Sequence, residues 1–235
     1  MKLLMTLPGM SQQVALALVA AIGDISRFPT PEKLASYLGL VPSTRQSADK
    51  CYHGNITKAG RAHARWSLVQ AAHCVRLDLG PLGYFFNKVA RRKSWNVAVV
   101  AVARKLAMLA WHLLTTKKPY RYAKPESVKA KLDRLRVAGS GVRRRGGAGK
   151  GVDARAMYPP EKRGMKRTPS LPDVMRQQGL AAPTEPKAGE RKVLQNTQTE
   201  AYYESLQKER LRPKKQGAPP ATDMTEVIRQ FNESS

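Results

Sequence analysis

Cysteine is scarce in this chain of 235 residues, and no pattern of metal ligands accompanies it. Cys51 and Cys74 lie far apart, and neither belongs to a CxxC pair. The four histidines form no HxxxH pair. These spacings predict neither a structural zinc site nor a disulfide framework, and both thiols are expected to be reduced.

Uninterrupted apolar segments are also few. The apolar start of the chain is broken by Pro8 and Gly9, so it is shorter than the apolar core of a signal peptide. The apolar run 97–114 carries Arg104 and Lys105 at its centre, where a bilayer would make both charges costly. We therefore expect a core helix of a soluble, cytoplasmic protein with no membrane partner.

Acidic residues are outnumbered by basic ones. The chain has 42 Lys and Arg against 17 Asp and Glu, a formal net charge of +25. Such an excess attracts polyanions and predicts a nucleic-acid partner, with binding that weakens as salt rises. Charge alone leaves a ribosomal or chromatin-type basic protein open as an alternative.

The composition changes near Thr116. Aliphatic periodicity is concentrated in residues 1–116, which are enough for one modest core. Residues 117–235 are dense in Pro, Gly, Lys, Arg, Gln and Glu. We predict a helical domain over 1–116 and a basic, mostly disordered tail over 117–235, with a local helix at 193–212.

The sequence of residues 1–116 predicts an all-α domain of five helices and no strand. The first helix is expected from Ser11 to Ile22, and the second begins at Thr30, an N-cap followed by proline. Thr57 is expected to cap the third helix and Ser94 to open the fifth. Between the second and third helices, residues 41–56 are expected to form a basic loop.

Three segments carry a resemblance to a known family. They are LPGM at residues 7–10, then ALALVAAIGDISRFPTPEKLASYLGLVPSTRQS, then GNITKAG at residues 54–60. Their order resembles the C-terminal domain of the transposases of insertion-sequence family one-ten, over roughly residues 3–116. The Pro8-Gly9 turn also resembles the hairpin of helix-hairpin-helix units, whose free backbone amides face a DNA phosphate.

The resemblance implies DNA strand exchange through a serine nucleophile. The family's catalytic serine falls on Ser47 rather than Ser43, and it implies a covalent phosphoserine link to DNA. Cations near such a serine would hold the phosphate as it gains charge. The residues expected to contact phosphate or nucleic acid are Pro8, Gly9, Arg45, Lys50, Lys58, Arg61 and Arg65.

The resemblance also implies partners and a metal ion. The family uses a guide RNA, and its N-terminal RuvC-like domain binds Mg²⁺ through four acidic residues. We expect this chain to lack that domain, as a truncated or split transposase that is inactive alone and holds no metal itself. A RuvC-like partner polypeptide, a homo-oligomer and association with the bacterial nucleoid belong to the same expectation.

Two other functions stay open at this stage. One is a DNA- or RNA-binding remnant without catalysis. The other is a helix-hairpin-helix repair accessory protein, which explains the Pro8-Gly9 turn but not the GNITKAG segment.

Overall fold

A computed structural model of the chain describes residues 1–47, 50–140 and 165–213. These residues fall into two units, one with residues 1–47, 50–140 and 169–209, the other with residues 165–168 and 210–213. In the second unit the described part is an antiparallel ribbon of two short strands, Met165–Thr168 and Arg210–Pro213.

The larger unit is built mainly from helices, as the all-α prediction requires. Its helices in chain order are α1 (Lys2–Met5), α2 (Gln12–Ile22), α3 (Pro31–Tyr37), α4 (Ala62–Val75), α5 (Pro81–Arg92), α6 (Trp95–Thr116), α7 (Pro125–Gly139), α8 (Leu171–Gln177), α9 (Ala188–Asn196) and α10 (Glu200–Gln207). A 3₁₀ turn, Ile25–Arg27, links α2 to α3.

Helix α6 forms the centre of the core. It packs against α3, α4 and α5, and its buried stripe follows helical spacing through Ala98, Val102, Leu106, Ala110 and Leu113. Helix α6 is also long and apolar enough, by length and composition alone, to cross a membrane. Its buried stripe instead fits the core helix of a soluble protein.

The helix starts expected at Ser11, Thr30 and Ser94 are confirmed. Each side-chain oxygen accepts a hydrogen bond from the backbone amide three residues later, at 3.3–3.4 Å. These bonds satisfy amides that the first turn leaves without a helical partner. Local sequence therefore set these boundaries.

The predicted loop at 41–56 is wrong over its described residues, because a β-hairpin stands there. Strand β1 (Pro42–Ser47) pairs antiparallel with strand β2 (Lys50–Ile56). From Ser43 to Ser47 every side chain of β1 is exposed, so neither face buries an apolar row. The alternation that identifies a half-buried strand is therefore missing.

The third predicted helix begins later than expected. Helix α4 starts at Ala62 and has Arg61 as its N-cap, whereas Thr57 lies in the preceding loop. Thr57 donates its backbone amide to the carbonyl of Val41 at 2.9 Å, so it closes the base of the hairpin. Leu79 lies beyond the end of this helix and is 68% exposed.

The described part of residues 117–213 also differs from the predicted disordered tail. Helices α7 and α8 place Val128, Leu132, Leu171 and Met175 in the core with almost no exposure. The predicted helix at 193–212 is divided between α9 and α10. Residues 141–164 and 214–235 lie outside the described part of the chain.

Candidate functional site

Two glycines join the β-hairpin to the helices. Gly39 and Gly60 both have positive φ, 67° and 90°. A Cβ on Gly39 would lie 2.1 Å from the carbonyl oxygen of Ala59, and one on Gly60 would lie 2.0 Å from that of Tyr37. Each glycine thus lets the other segment approach its backbone closely, and the two segments interlock.

Arg65 holds this junction together. Its Nη1 donates to the carbonyl oxygens of Leu38, at 3.2 Å, and Ala59, at 3.4 Å. Because Arg65 is half-buried and already bonded, its guanidinium has a structural role that the predicted phosphate contact did not anticipate. The contact of Arg65 with nucleic acid stays a prediction.

The hairpin register groups three of the predicted site residues. Ser47 pairs with Lys50, and Arg45 pairs with Tyr52. Cross-strand partners point to the same face, as do residues two apart along a strand. Ser47, Arg45, Lys50 and Tyr52 therefore share one face, which we call the serine face.

Ser43 belongs to the base of the serine face. Its Oγ lies 2.6 Å from the position that a Cβ on Gly54 would take, so it faces the same side as Gly54. Gly54 is two residues from Tyr52 and therefore shares its face. Both serines thus project in one direction, Ser47 at the distal end of β1 and Ser43 near the helices.

The serine face is exposed and basic. Arg45, Ser47 and Lys50 are all exposed, and Tyr52 is 63% exposed. The described residues of the two strands contain no Asp or Glu. An anion approaching this face therefore meets two cations and a hydroxyl, with an aromatic ring beside Arg45.

Arg61 lies at the beginning of α4 and is anchored to α3. Its Nε donates to the Tyr37 hydroxyl at 2.7 Å, and this bond lowers the pKa of Tyr37. The guanidinium of Arg27 also lies over the Tyr37 ring, 5.8 Å from its centroid. The two arginines and Tyr37 form a preorganised basic cluster on the surface.

Lys58 is exposed and has a positive φ of 55°. It lies in the loop before α4, whereas Arg61 is the N-cap of that helix and Arg65 lies within it. Arg61 and Arg65 are one helical turn apart at the start of α4, where the Arg65 amide donates a hydrogen bond to the Arg61 carbonyl at 3.0 Å.

Pro8 and Gly9 form the turn between α1 and α2. A Cβ on Gly9 would lie 2.1 Å from the carbonyl oxygen of Ala71, so this glycine lets α4 pack directly against the turn. Ala71 is ten residues along α4 from Arg61, about 15 Å at the helical rise. The turn is thus separate from the basic cluster at Arg61, and its contact with phosphate stays a prediction.

The described acidic residues of 1–116 are Asp24, Glu32 and Asp78, and each lies in a structural environment. The Asp24 carboxylate accepts a hydrogen bond from the backbone amide of Ser26 at 3.0 Å, and Glu32 lies in the first turn of α3. Asp78 is mostly buried, and burial raises the pKa of its carboxyl. Within residues 1–47, 50–140 and 165–213, no three His, Cys, Asp or Glu side chains come together to hold a metal ion. Asp49 lies outside the described residues, and the described ones do not fit a Mg²⁺ site.

Tyr52 is an exposed aromatic residue of the serine face that was not among the predicted site residues. Its signal was available in the segment KCYHGNI, where an aromatic residue stands two positions from Lys50. Without a strand assignment that spacing carries no meaning, because only a strand places positions two apart on one face.

The similarity to known proteins is found in the part of the chain that contains the hairpin and the predicted site residues. Residues 1–82 match the family model described as Transposase IS116/IS110/IS902 family. That range contains α1 to α4, the β-hairpin and every predicted site residue. The chain is therefore similar in this region to the transposases that its quoted motifs resemble.

Named relatives show the same likeness. The transposase for insertion sequence element IS1111A of Coxiella burnetii is 31% identical over 120 residues, covering 49% of this chain and 33% of that protein. The insertion element IS110 uncharacterized 43.6 kDa protein of Streptomyces coelicolor is 29% identical over 126 residues, 53% and 31% respectively. The pilin gene-inverting protein of Moraxella bovis is 30% identical over 124 residues, 50% and 38%. The chain spans about a third of the length of these relatives.

Proposed function

We propose that this chain is the serine-bearing part of a transposase that rearranges insertion-sequence DNA. The observation that carries the proposal is the register of the hairpin, which groups Ser47, Arg45 and Lys50 on one exposed face. Similarity of residues 1–82 to the transposase family model supports the reaction class.

The proposed reaction is a transesterification. The Oγ of Ser47 attacks a DNA phosphorus and forms a P–O bond while the bond to the leaving strand breaks. Ser47 loses its proton, and the oxygen of the leaving strand gains one, so charge and atoms balance. Arg45 and Lys50 hold the non-bridging oxygens, on which charge builds in the transition state.

The proposal includes partners beyond this chain. A RuvC-like domain, in this polypeptide or another, would provide the acidic Mg²⁺ site, since the described residues do not form one. A guide RNA would select the DNA, and copies of the chain would assemble on it in the bacterial cytoplasm beside the nucleoid. Pro8, Gly9, Lys58, Arg61 and Arg65 would contact nucleic acid outside the serine face.

A labelled-DNA assay tests the nucleophile. The full chain is mixed with a RuvC-like domain from a relative, Mg²⁺, the guide RNA and end-labelled DNA. We expect a covalent adduct that peptide mapping assigns to Ser47. Ser47→Ala should abolish it, whereas Ser43→Ala is the matched control because this serine shares the face and should leave the adduct intact.

The same assay distinguishes the second candidate, a nucleic-acid-binding protein without catalysis. This candidate is favoured by the absence of a metal-holding cluster among the described residues. It predicts DNA binding without any adduct under the complemented conditions. An adduct mapped to Ser43 would instead contradict the assignment of the nucleophile.

A further inference from the structure

We propose that Tyr52 stacks on an unpaired base beside the phosphate held at the serine face, so that this site prefers DNA with a disrupted base pair to intact duplex. The inference rests on the proposed function of the hairpin and names the state of the DNA that it binds. It follows from register, exposure and charge at described residues.

The register places the ring beside the phosphate-binding cations. Tyr52 lies directly across from Arg45, which corresponds to a Cβ separation of about 4.5–5.5 Å. Ser47 is its diagonal neighbour on the same face, at about 7–8 Å. A nucleotide bound by its phosphate near Arg45 and Ser47 therefore has its sugar and base within reach of Tyr52.

The ring has no place in the core. Tyr52 is 63% exposed, whereas Tyr120 is buried and Tyr202 bonds to the Tyr122 carbonyl at 3.2 Å. An exposed ring on a thin two-stranded hairpin gains little from folding and has apolar area left to bury on binding. Its position is that of a binding side chain.

The chemistry of the face selects nucleic acid. Arg45 and Lys50 attract phosphate, and an aromatic ring next to cations is the combination that binds single-stranded nucleic acid through backbone charge and base stacking. In an intact duplex the bases are stacked on one another and their faces are inaccessible. An unpaired base is therefore the partner that this ring fits.

The test compares two fluorescent DNA probes of equal length, an intact duplex and the same duplex with one unpaired 2-aminopurine. Anisotropy titrations use the full chain, Tyr52→Ala and Tyr52→Phe at one salt concentration. We expect Tyr52→Ala to weaken binding of the unpaired-base probe roughly 5- to 150-fold and to leave duplex binding unchanged. Tyr52→Phe should retain both affinities and the quenching of 2-aminopurine that stacking produces.

Two controls address position and folding. Tyr84→Ala removes another exposed tyrosine, 40% exposed on α5, and Gln46→Ala alters the opposite face of the hairpin. Both should match the unchanged chain. An equal loss on the two probes, or no loss on either, would overturn the stacking inference.

Charge variants separate this inference from the proposed function. If Arg45→Ala and Lys50→Ala weaken binding while Tyr52→Ala does not, the stacking role is wrong and the phosphate role stands. If none of the three has an effect, both are wrong. If Ser47 forms no adduct but Tyr52→Ala weakens only the unpaired-base probe, stacking stands and the catalytic proposal falls.

Discussion

At the scale of single residues, the two interlocked glycines decide where the hairpin lies. Each has positive φ and faces a carbonyl oxygen of the other segment. Any side chain at Gly39 or Gly60 would have to displace backbone, which cannot yield as a flexible side chain does. The position of the serine face therefore depends on these glycines, although neither is part of that face.

Gly60→Ala tests this dependence. We expect it to lower the free energy of unfolding by more than about 1 kcal/mol. The added Cβ would clash with the Tyr37 carbonyl oxygen, and the positive φ at this position is unfavourable for alanine. Urea denaturation followed by circular dichroism measures the change. Gly189→Ala is the control, since nothing lies within 4 Å of its Cβ, and it should be neutral or stabilise by up to about 1 kcal/mol. Equal stability of Gly60→Ala and the unchanged chain would refute the interlock.

At the scale of elements, helix α7 secures the turn between α1 and α2. The Nζ of Lys131 donates to the carbonyl oxygens of Met5, at 3.1 Å, and Leu7, at 2.9 Å. Burial lowers the pKa of Lys131 to about 8, even though the nearby Asp78 and Cys74 act to raise it. Folding thus places an amine where its charged form is disfavoured.

The consequence is a pH-dependent stability. Between about pH 8 and the ordinary lysine pKa of 10.5, the unfolded chain binds more protons at this site, so the free energy of unfolding should rise with pH. Burial raises the pKa of Tyr120, Tyr122 and Tyr202, which opposes the trend above about pH 10. Denaturation at pH 7.5 to 9.5 should show the rise, and Lys131→Met should flatten it. A rise of the same size in Lys131→Met would assign the effect to other groups.

At the scale of the larger unit, the core includes residues well beyond Thr116. Helix α7 packs against α1 and α8, and Val128 and Leu132 are nearly inaccessible to solvent. The helices that carry the family resemblance thus share a core with the helices that follow them. Their stability is a property of the whole unit.

Shortening the chain tests this shared core. We expect a chain ending at Thr116 to lose helical content and melt at a lower temperature, because the surface covered by α7 and α8 becomes exposed. In the full chain Leu132→Ala should cost about 2–5 kcal/mol, whereas the exposed Arg134→Ala should change stability little. An unchanged melting temperature for the shortened chain would mean that α7 and α8 contribute nothing to the core.

Net charge belongs to the whole molecule as well. With a formal charge of +25, the chain should bind duplex DNA with an affinity that falls steeply as salt rises, by about 0.9 in logarithmic slope for each phosphate contacted. Lys58→Ala should make the slope shallower by about one unit, and Lys33→Ala on α3 should not. Filter binding between low and physiological salt measures both. A slope near zero would rule out electrostatic binding.

The sequence by itself determined those features whose signals lie within a few residues of the chain. Side-chain caps at Ser11, Thr30 and Ser94 marked helix starts. The start of α7 carried a similar signal, with Pro125 and Glu126 at its first turn. Its apolar residues are sparse, with Pro125, Val128 and Leu132 buried, because neighbouring helices supply the rest of the core.

The tertiary structure alone decided the serine face and its support. A hairpin exposed on both faces has no apolar alternation, so its strands cannot be recognised locally and its cross-strand partners cannot be assigned. The bond from Arg65 to the Leu38 carbonyl joins residues that are 27 apart in sequence, and it helps hold the base of the hairpin against the helices. Such contacts depend on the position of backbone atoms in space, which no pattern of neighbouring side chains specifies.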